Sequence, residues 1–161
     1  MALLQEVRLY LYRGIVKRFL HDLKRSHHNN ELTSKDIGKE VILFGWVQTR
    51  RDHGGVIFVD LRDVEGLTQI VFNPQVNPDS HKVADVLRSE FCLGIRGKVS
   101  PRPDGMKNPN LKTGEIEVLV DQVEIFSSSP PPPFSVEDEA TTNEYTRLEY
   151  RYLDLRRPKV Q

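Results

Sequence analysis

The chain has 161 residues, 38% of them hydrophobic, which is enough for one modest core and too little for a large two-lobed enzyme. Lysine plus arginine total 23 and aspartate plus glutamate total 23, so the formal net charge is zero. Bulk charge therefore gives no argument for a nucleic-acid partner, and any such argument must come from local clusters. A single cysteine, Cys92, excludes an internal disulfide framework and a cysteine-rich zinc site; a reducing compartment and a small core residue are expected.

In chain order, residues 1–23 carry Leu4, Val7, Leu11, Ile15 and Phe19 at near-helical spacing, with Arg8, Arg13, Lys17 and Arg18 around them. This is the pattern of an amphipathic helix or an organelle presequence, without the small-residue cleavage site of a secretory signal. A start codon read too far upstream is the simpler account, because domain-like sequence opens near Lys24. No stretch is long and apolar enough to predict a membrane span.

Residues 41–50 (VILFGWVQTR) are rich in β-branched and aromatic types and read as a first strand. Asp52-His53-Gly54-Gly55 signals a turn. Residues 56–63 alternate as a second strand: Ile57, Val59 and Leu61 point one way, and Val56, Phe58, Asp60 and Arg62 the other. Glu65-Gly66 turns the chain into a third strand, residues 67–73. The period then changes. Asn77-Pro78-Asp79-Ser80 is a helix-start cluster, and Val83, Val86 and Leu87 extend one short helix to about Glu90. Residues 91–99 return to strand, 101–114 form a proline- and glycine-bearing loop, and 115–126 form a long last strand.

Three strands, one helix and two strands is the order of the five-stranded OB-fold, a Greek-key barrel with a helix between strands three and four, whose face on strands two and three commonly binds oligonucleotides. Another small antiparallel barrel or a half-sandwich is the alternative. Ser127–Ser129 and Pro130–Pro133 end the barrel with a semi-rigid spacer. Tyr145, Leu148, Tyr152 and Leu155 then recur at helical spacing before Pro158, predicting one helix over 142–155 with no domain of its own to pack into. The domain scheme is an extension at 1–23, a barrel at 24–126, a linker at 127–140 and the start of something larger at 141–161.

The strand-one to strand-two corner carries the strongest chemical signal. Arginine offers a planar fork to phosphates and base edges, an outward Phe58 can stack an unpaired base, and glycines let a loop approach a ligand closely. A solvated charged turn with a half-buried phenylalanine explains the same residues. Gln69 could pair with a base edge in two directions, although its position fits a plain surface glutamine. The histidines lack partners for a metal set, no phosphate-binding glycine loop is present, and no nucleophile or carboxylate pair forms a self-contained active site.

Three separated blocks are more specific. They are Gly45-Trp46-Val47 with residues 50–63 (RRDHGGVIFVDLRD), Asn108-Pro109-Asn110 with residues 113–118, and residues 150–158 (YRYLDLRRP). In that order they resemble the N-terminal part of bacterial-type aspartyl-tRNA synthetases, over about residues 24–161. The resemblance implies that the barrel binds the anticodon stem-loop of tRNA(Asp), with Phe58 stacking on the central base and Arg51 and Gln69 contacting the loop bases. Arg50 and Thr49 are expected among the anticodon-binding residues as well. Thr49 stands where the family often has a third arginine, and Val64 where an arginine is common on the next turn. His53 and Gly105 are similar to members that also accept tRNA(Asn). The resemblance further implies a class II aspartate–tRNA ligase that uses ATP and magnesium as a cytoplasmic homodimer. The corresponding residues lie beyond Gln161, so no cofactor is expected on this chain. The alternative is a free-standing OB-fold binder of single-stranded nucleic acid, which has no need of the 150–158 block.

Overall fold

A computed structural model describes residues 24–136 and 142–160; the helical reading of 1–23 lies outside them. The chain divides into two compact units, Met1–Ser129 and Pro130–Gln161.

In the first unit five strands form one sheet: β1 (Glu40–His53), β2 (Val56–Arg62), β3 (Leu67–Phe72), β4 (Cys92–Pro101) and β5 (Ile116–Ser127), with helix α1 (Pro78–Asp85) between β3 and β4. The neighbours run β1-β2-β3-β5-β4, and β4 returns to β1, so the sheet closes on itself. All pairings are antiparallel except β3 with β5, which run parallel. This is the expected architecture, and the half-sandwich alternative fails because the ring closes.

Closure depends on β1. It pairs with β4 from Glu40 to Trp46 and with β2 from Trp46 to His53, and its register shifts between Val47 and Thr49. Such a bulge bends a strand and turns its later side chains to new directions. Near the bend, a Cβ on Gly45 would lie 2.5 Å from the Arg62 carbonyl oxygen, so only glycine allows β1 to pass that close to β2. Gly54 and Gly55, at φ of 62° and 82°, make the tight connection of the β1–β2 hairpin.

Val41, Leu43, Val47, Ile57, Val59, Leu61, Ile70 and Phe72 fill the interior with Leu93, Ile95 and Val118. Asn77 caps α1 by accepting from the amides of Asp79 and Ser80, and Pro78 occupies the first turn. Val83 and Ala84 turn inward to join the core. The helix stops at Asp85 rather than about Glu90, and Glu90 has a φ of 66°. Backbone pairing explains the early end: the Val47 amide donates to the Phe91 carbonyl and the Glu90 amide to the Val47 carbonyl, so this stretch binds to β1 instead of extending the helix. Cys92 is half-buried opposite Trp46 rather than in the core, and burial raises its thiol pKa.

The second unit corrects the single-helix expectation. It contains α2 (Glu144–Glu149) and α3 (Arg151–Asp154), separated at Tyr150, whose φ and ψ are −106° and 45°. Residues seven apart in a straight helix are about 10 Å apart along the axis. With the break, Arg147 Nε reaches Asp154 Oδ1 at 2.9 Å, and Arg151 and Arg157 contact the same carboxylate at 2.7 and 3.1 Å. The Arg147 hydrogen bond is the largest influence holding the Asp154 carboxyl below its usual range. No described helix is long and apolar enough to cross a membrane.

Candidate nucleic-acid interface

Alternation places Ile57, Val59 and Leu61 inside the ring, so Phe58 and Asp60 project outward from β2. Register with the neighbouring strands then assembles two rows on one outer face. One row is Arg51, Phe58 and Val71; the other is Thr49, Asp60 and Gln69. Phe58 is half-buried, and the His53 ring meets it edge-on with centroids 6.1 Å apart. An aromatic ring on an open sheet face is the platform on which an unpaired base stacks.

Asp60 organises the β1 side of this face. It accepts a hydrogen bond from the Thr49 hydroxyl, and both of its carboxylate oxygens lie 3.0 Å from Arg51 Nη2. Arg51 is about half-exposed, at 47% of its side chain, so its charge is balanced while part of its fork faces solvent. Gln69 is buried rather than on an open surface, and its Nε2 donates to Glu117 Oε2 at 3.0 Å. The parallel pairing of β3 with β5 brings these two side chains together. With Nε2 engaged, the amide orientation is fixed, and Oε1 remains as the acceptor end.

Arg102 completes the cluster from the start of the β4–β5 loop. It is buried, and its Nε donates to the Ile116 carbonyl at 2.9 Å. Its Nη2 is buried with no hydrogen-bond partner among the described residues. Burial lowers the Arg102 pKa, against the opposing pull of the Glu117 and Asp60 charges. A buried N–H without an acceptor costs about 1–3 kcal/mol, a cost that a bound acceptor removes. Two cations, Arg51 and Arg102, thus share the face with two carboxylates, Asp60 and Glu117. Such a balanced surface suits hydrogen bonding to base edges better than attraction to phosphates.

Arg50 is not brought to this face. One residue from both Thr49 and Arg51, it points the other way, and its Nε donates to the Ala84 carbonyl of α1 at 3.0 Å, with Nη2 3.4 Å from Asp85. His53 lies on the exposed hairpin tip. Gly105 sits in the β4–β5 loop at a φ of 80°, with open space where a Cβ would be. Arg102, Glu117 and the Asp60 bridge were not singled out from sequence. For Glu117 only the β3–β5 pairing gives the signal, and nothing local in EIEVLV reveals it.

Burial is the largest influence on Glu117 and raises its carboxyl above the ordinary value of 4.5, while Gln69 and Arg102 oppose the shift. The folded state therefore holds this proton more readily than the unfolded chain. As pH falls from neutral toward 4.5, the native chain should gain stability relative to Glu117→Gln. Denaturant titrations of both proteins across that range measure the difference; a constant difference would show that Glu117 titrates normally.

Among the described residues, no group of three or more His, Cys, Asp or Glu side chains could hold a metal ion. Residues 41–126 match the OB-fold nucleic acid binding domain family, and the chain belongs to that family. Curated proteins similar to it include aspartate–tRNA(Asp/Asn) ligases. It is 59% identical over 144 residues to the aspartate–tRNA(Asp/Asn) ligase of Anaeromyxobacter sp. (strain K), covering 89% of this chain and 24% of that protein. The Oleidesulfovibrio alaskensis protein of the same name is 57% identical over 141 residues, covering 88% of this chain and 23% of that protein. Among solved structures, asparaginyl-tRNA synthetase from Pyrococcus horikoshii, complexed with asparaginyl-adenylate, superposes with a TM-score of 0.70 at 26% identity over 85% of this chain and 30% of that one. Aspartyl tRNA synthetase from Entamoeba histolytica gives 0.73 at 19% identity over 87% of this chain and 34% of that one, a likeness of fold. The chain thus spans about a quarter of the length of the curated relatives it matches. The resemblance carried by the three sequence blocks is borne out, and a free-standing binder is not favoured.

Proposed function

We propose that this chain reads the anticodon loop of tRNA(Asp), and of tRNA(Asn) as well, as the anticodon-binding part of an aspartate–tRNA ligase. The observation that carries the reading is the outward-facing, half-buried Phe58 ring at the centre of a face whose other side chains are held in fixed hydrogen-bonding orientations. A base splayed from the loop stacks on Phe58. Arg51 and the Gln69 Oε1 meet donors and acceptors on the base edges, and Thr49 acts through Asp60. Arg102, buried behind this face, contributes a positive charge beside Glu117 rather than a direct contact. Arg50 supports the hairpin from α1 rather than touching RNA.

Acceptance of tRNA(Asn) is supported by His53 beside Phe58, by Gly105, and by the Asp/Asn designation that relatives such as the Anaeromyxobacter ligase carry. The two anticodons differ at their third letter, so a pocket with little side-chain bulk there relaxes the choice. In the whole ligase, ATP and magnesium activate aspartate outside this chain, in a cytoplasmic homodimer.

The test is titration of the chain with synthetic anticodon stem-loops. Stem-loops ending in C or U at the third anticodon letter should bind with similar affinity, and a stem-loop with a scrambled loop should bind more weakly. Equal binding of the scrambled loop would remove the anticodon reading. Strong rejection of the U stem-loop would remove only the relaxed choice.

A further inference from the structure

The β1–β2 hairpin extends past the rest of the sheet. Beyond the Ile57–Phe72 pair, β2 has no β3 partner in register, and residues 52–55 at the tip are exposed. Within the hairpin, the Asp52–Ile57 and His53–Val56 pairs and a 3.1 Å bond from the Gly55 amide to Asp52 Oδ1 tie the tip together. Two successive glycines at positive φ make this a soft turn. Yet the tip carries His53, whose ring borders Phe58.

Helix α1 grips this hairpin at two points. At the tip, His81 Nε2 lies 2.7 Å from the Gly55 carbonyl oxygen. Nearer the barrel, Arg50 reaches the carbonyl of Ala84 and the carboxylate of Asp85. His81, Ala84 and Asp85 are spaced three and four apart, so they share one face of the helix. The helix is itself fixed by core contacts of Val83 and Ala84 and by the Asn77 side chain, whose Nδ2 donates to the Asp121 carbonyl at 2.7 Å. Because a carbonyl oxygen only accepts, Nε2 must carry the proton.

We propose that His81 is a positioning residue for base reading: its bond to Gly55 holds the hairpin tip so that His53 stays against Phe58, and it thereby sets discrimination at the base next to the one stacked on Phe58. The inference rests on the anticodon reading above. His81 touches no base; it acts through Gly55 and the tip. Without the bond the tip swings, the His53 edge no longer has one position, and a purine at the neighbouring base is rejected less well. Loss of a merely structural contact would weaken all RNAs alike and leave the preference untouched.

The experiment uses the full chain and stem-loops carrying a pyrimidine or a purine at the third anticodon letter. In His81→Leu the preference for pyrimidine should narrow by about two- to tenfold, the range one net hydrogen bond carries. His81→Gln, whose amide donates at similar reach, should restore it. His81→Asn, too short to reach Gly55, should behave as the leucine variant does and stands in for it if leucine impairs folding. Thermal unfolding of each variant separates loss of fold from loss of choice. An unchanged preference in the leucine and asparagine variants, or equal narrowing in the glutamine variant, overturns the role of His81. An unaltered chain that binds neither stem-loop overturns this inference together with the anticodon reading. One that binds and prefers pyrimidine sustains that reading whatever the variants do.

Discussion

Phe58→Ala should weaken binding of the anticodon stem-loop by about 1–3 kcal/mol, or roughly five- to 150-fold in dissociation constant. The loss arises because alanine leaves the splayed base with no ring to stack on, whereas the hydrogen-bonding side chains around it keep their partners. Phe58 stands on the outer face and is only half-buried, so truncation leaves no sealed cavity. Fold stability should therefore change much less than affinity. Fluorescence titration with labelled stem-loop, paired with urea unfolding of the same sample, checks both halves. Unaltered affinity would mean that the ring is not the stacking platform and would return the hairpin to a solvated charged turn.

Phe72→Ala should do the reverse. Phe72 lies on β3 opposite Ile57, fully buried within the ring. Removing a buried phenyl ring costs about 3–5 kcal/mol, the transfer free energy of the ring plus the cavity it leaves. A domain of this kind is held by only about 5–15 kcal/mol in total, so the urea midpoint should fall steeply. Molecules that remain folded should still bind the stem-loop with near-native affinity, because Phe72 does not reach the outer face. A small shift in midpoint would mean that the surrounding side chains collapse into the space.

The contrast between these two phenylalanines shows what the sequence makes legible. Period-two alternation separates Phe58 from Ile57 and Val59 without any coordinates, and the count of strands around one helix leads to the closed five-stranded ring. The corner residues Arg51 and His53 were visible as a cluster of types. Arg50 was not separable from Arg51 by type; the pleat sends adjacent side chains to opposite sides, and α1 supplies its partners. Glu117 and Arg102 were illegible for a different reason. Gln69 and Glu117 are 48 residues apart and meet through a parallel pairing of β3 with β5, which no local pattern announces. The break at Tyr150 was likewise hidden, since Tyr145, Leu148, Tyr152 and Leu155 keep helical spacing across it, while the convergence of three arginines on Asp154, all within seven residues of it, does not show in the apolar spacing.

The paired charges on the outer face bear on how such a domain behaves among many competing polyanions. Attraction to a nucleic-acid backbone works through released counterions and fades quickly as ionic strength rises. A surface on which Arg51 bridges to Asp60, and Arg102 and Glu117 lie close enough to offset each other's charge, has little of that indiscriminate pull to lose. On the anticodon reading proposed above, its grip would come from stacking and from directional bonds to an unpaired loop, so duplex, ribosomal or DNA competitors would gain no foothold simply by being negative.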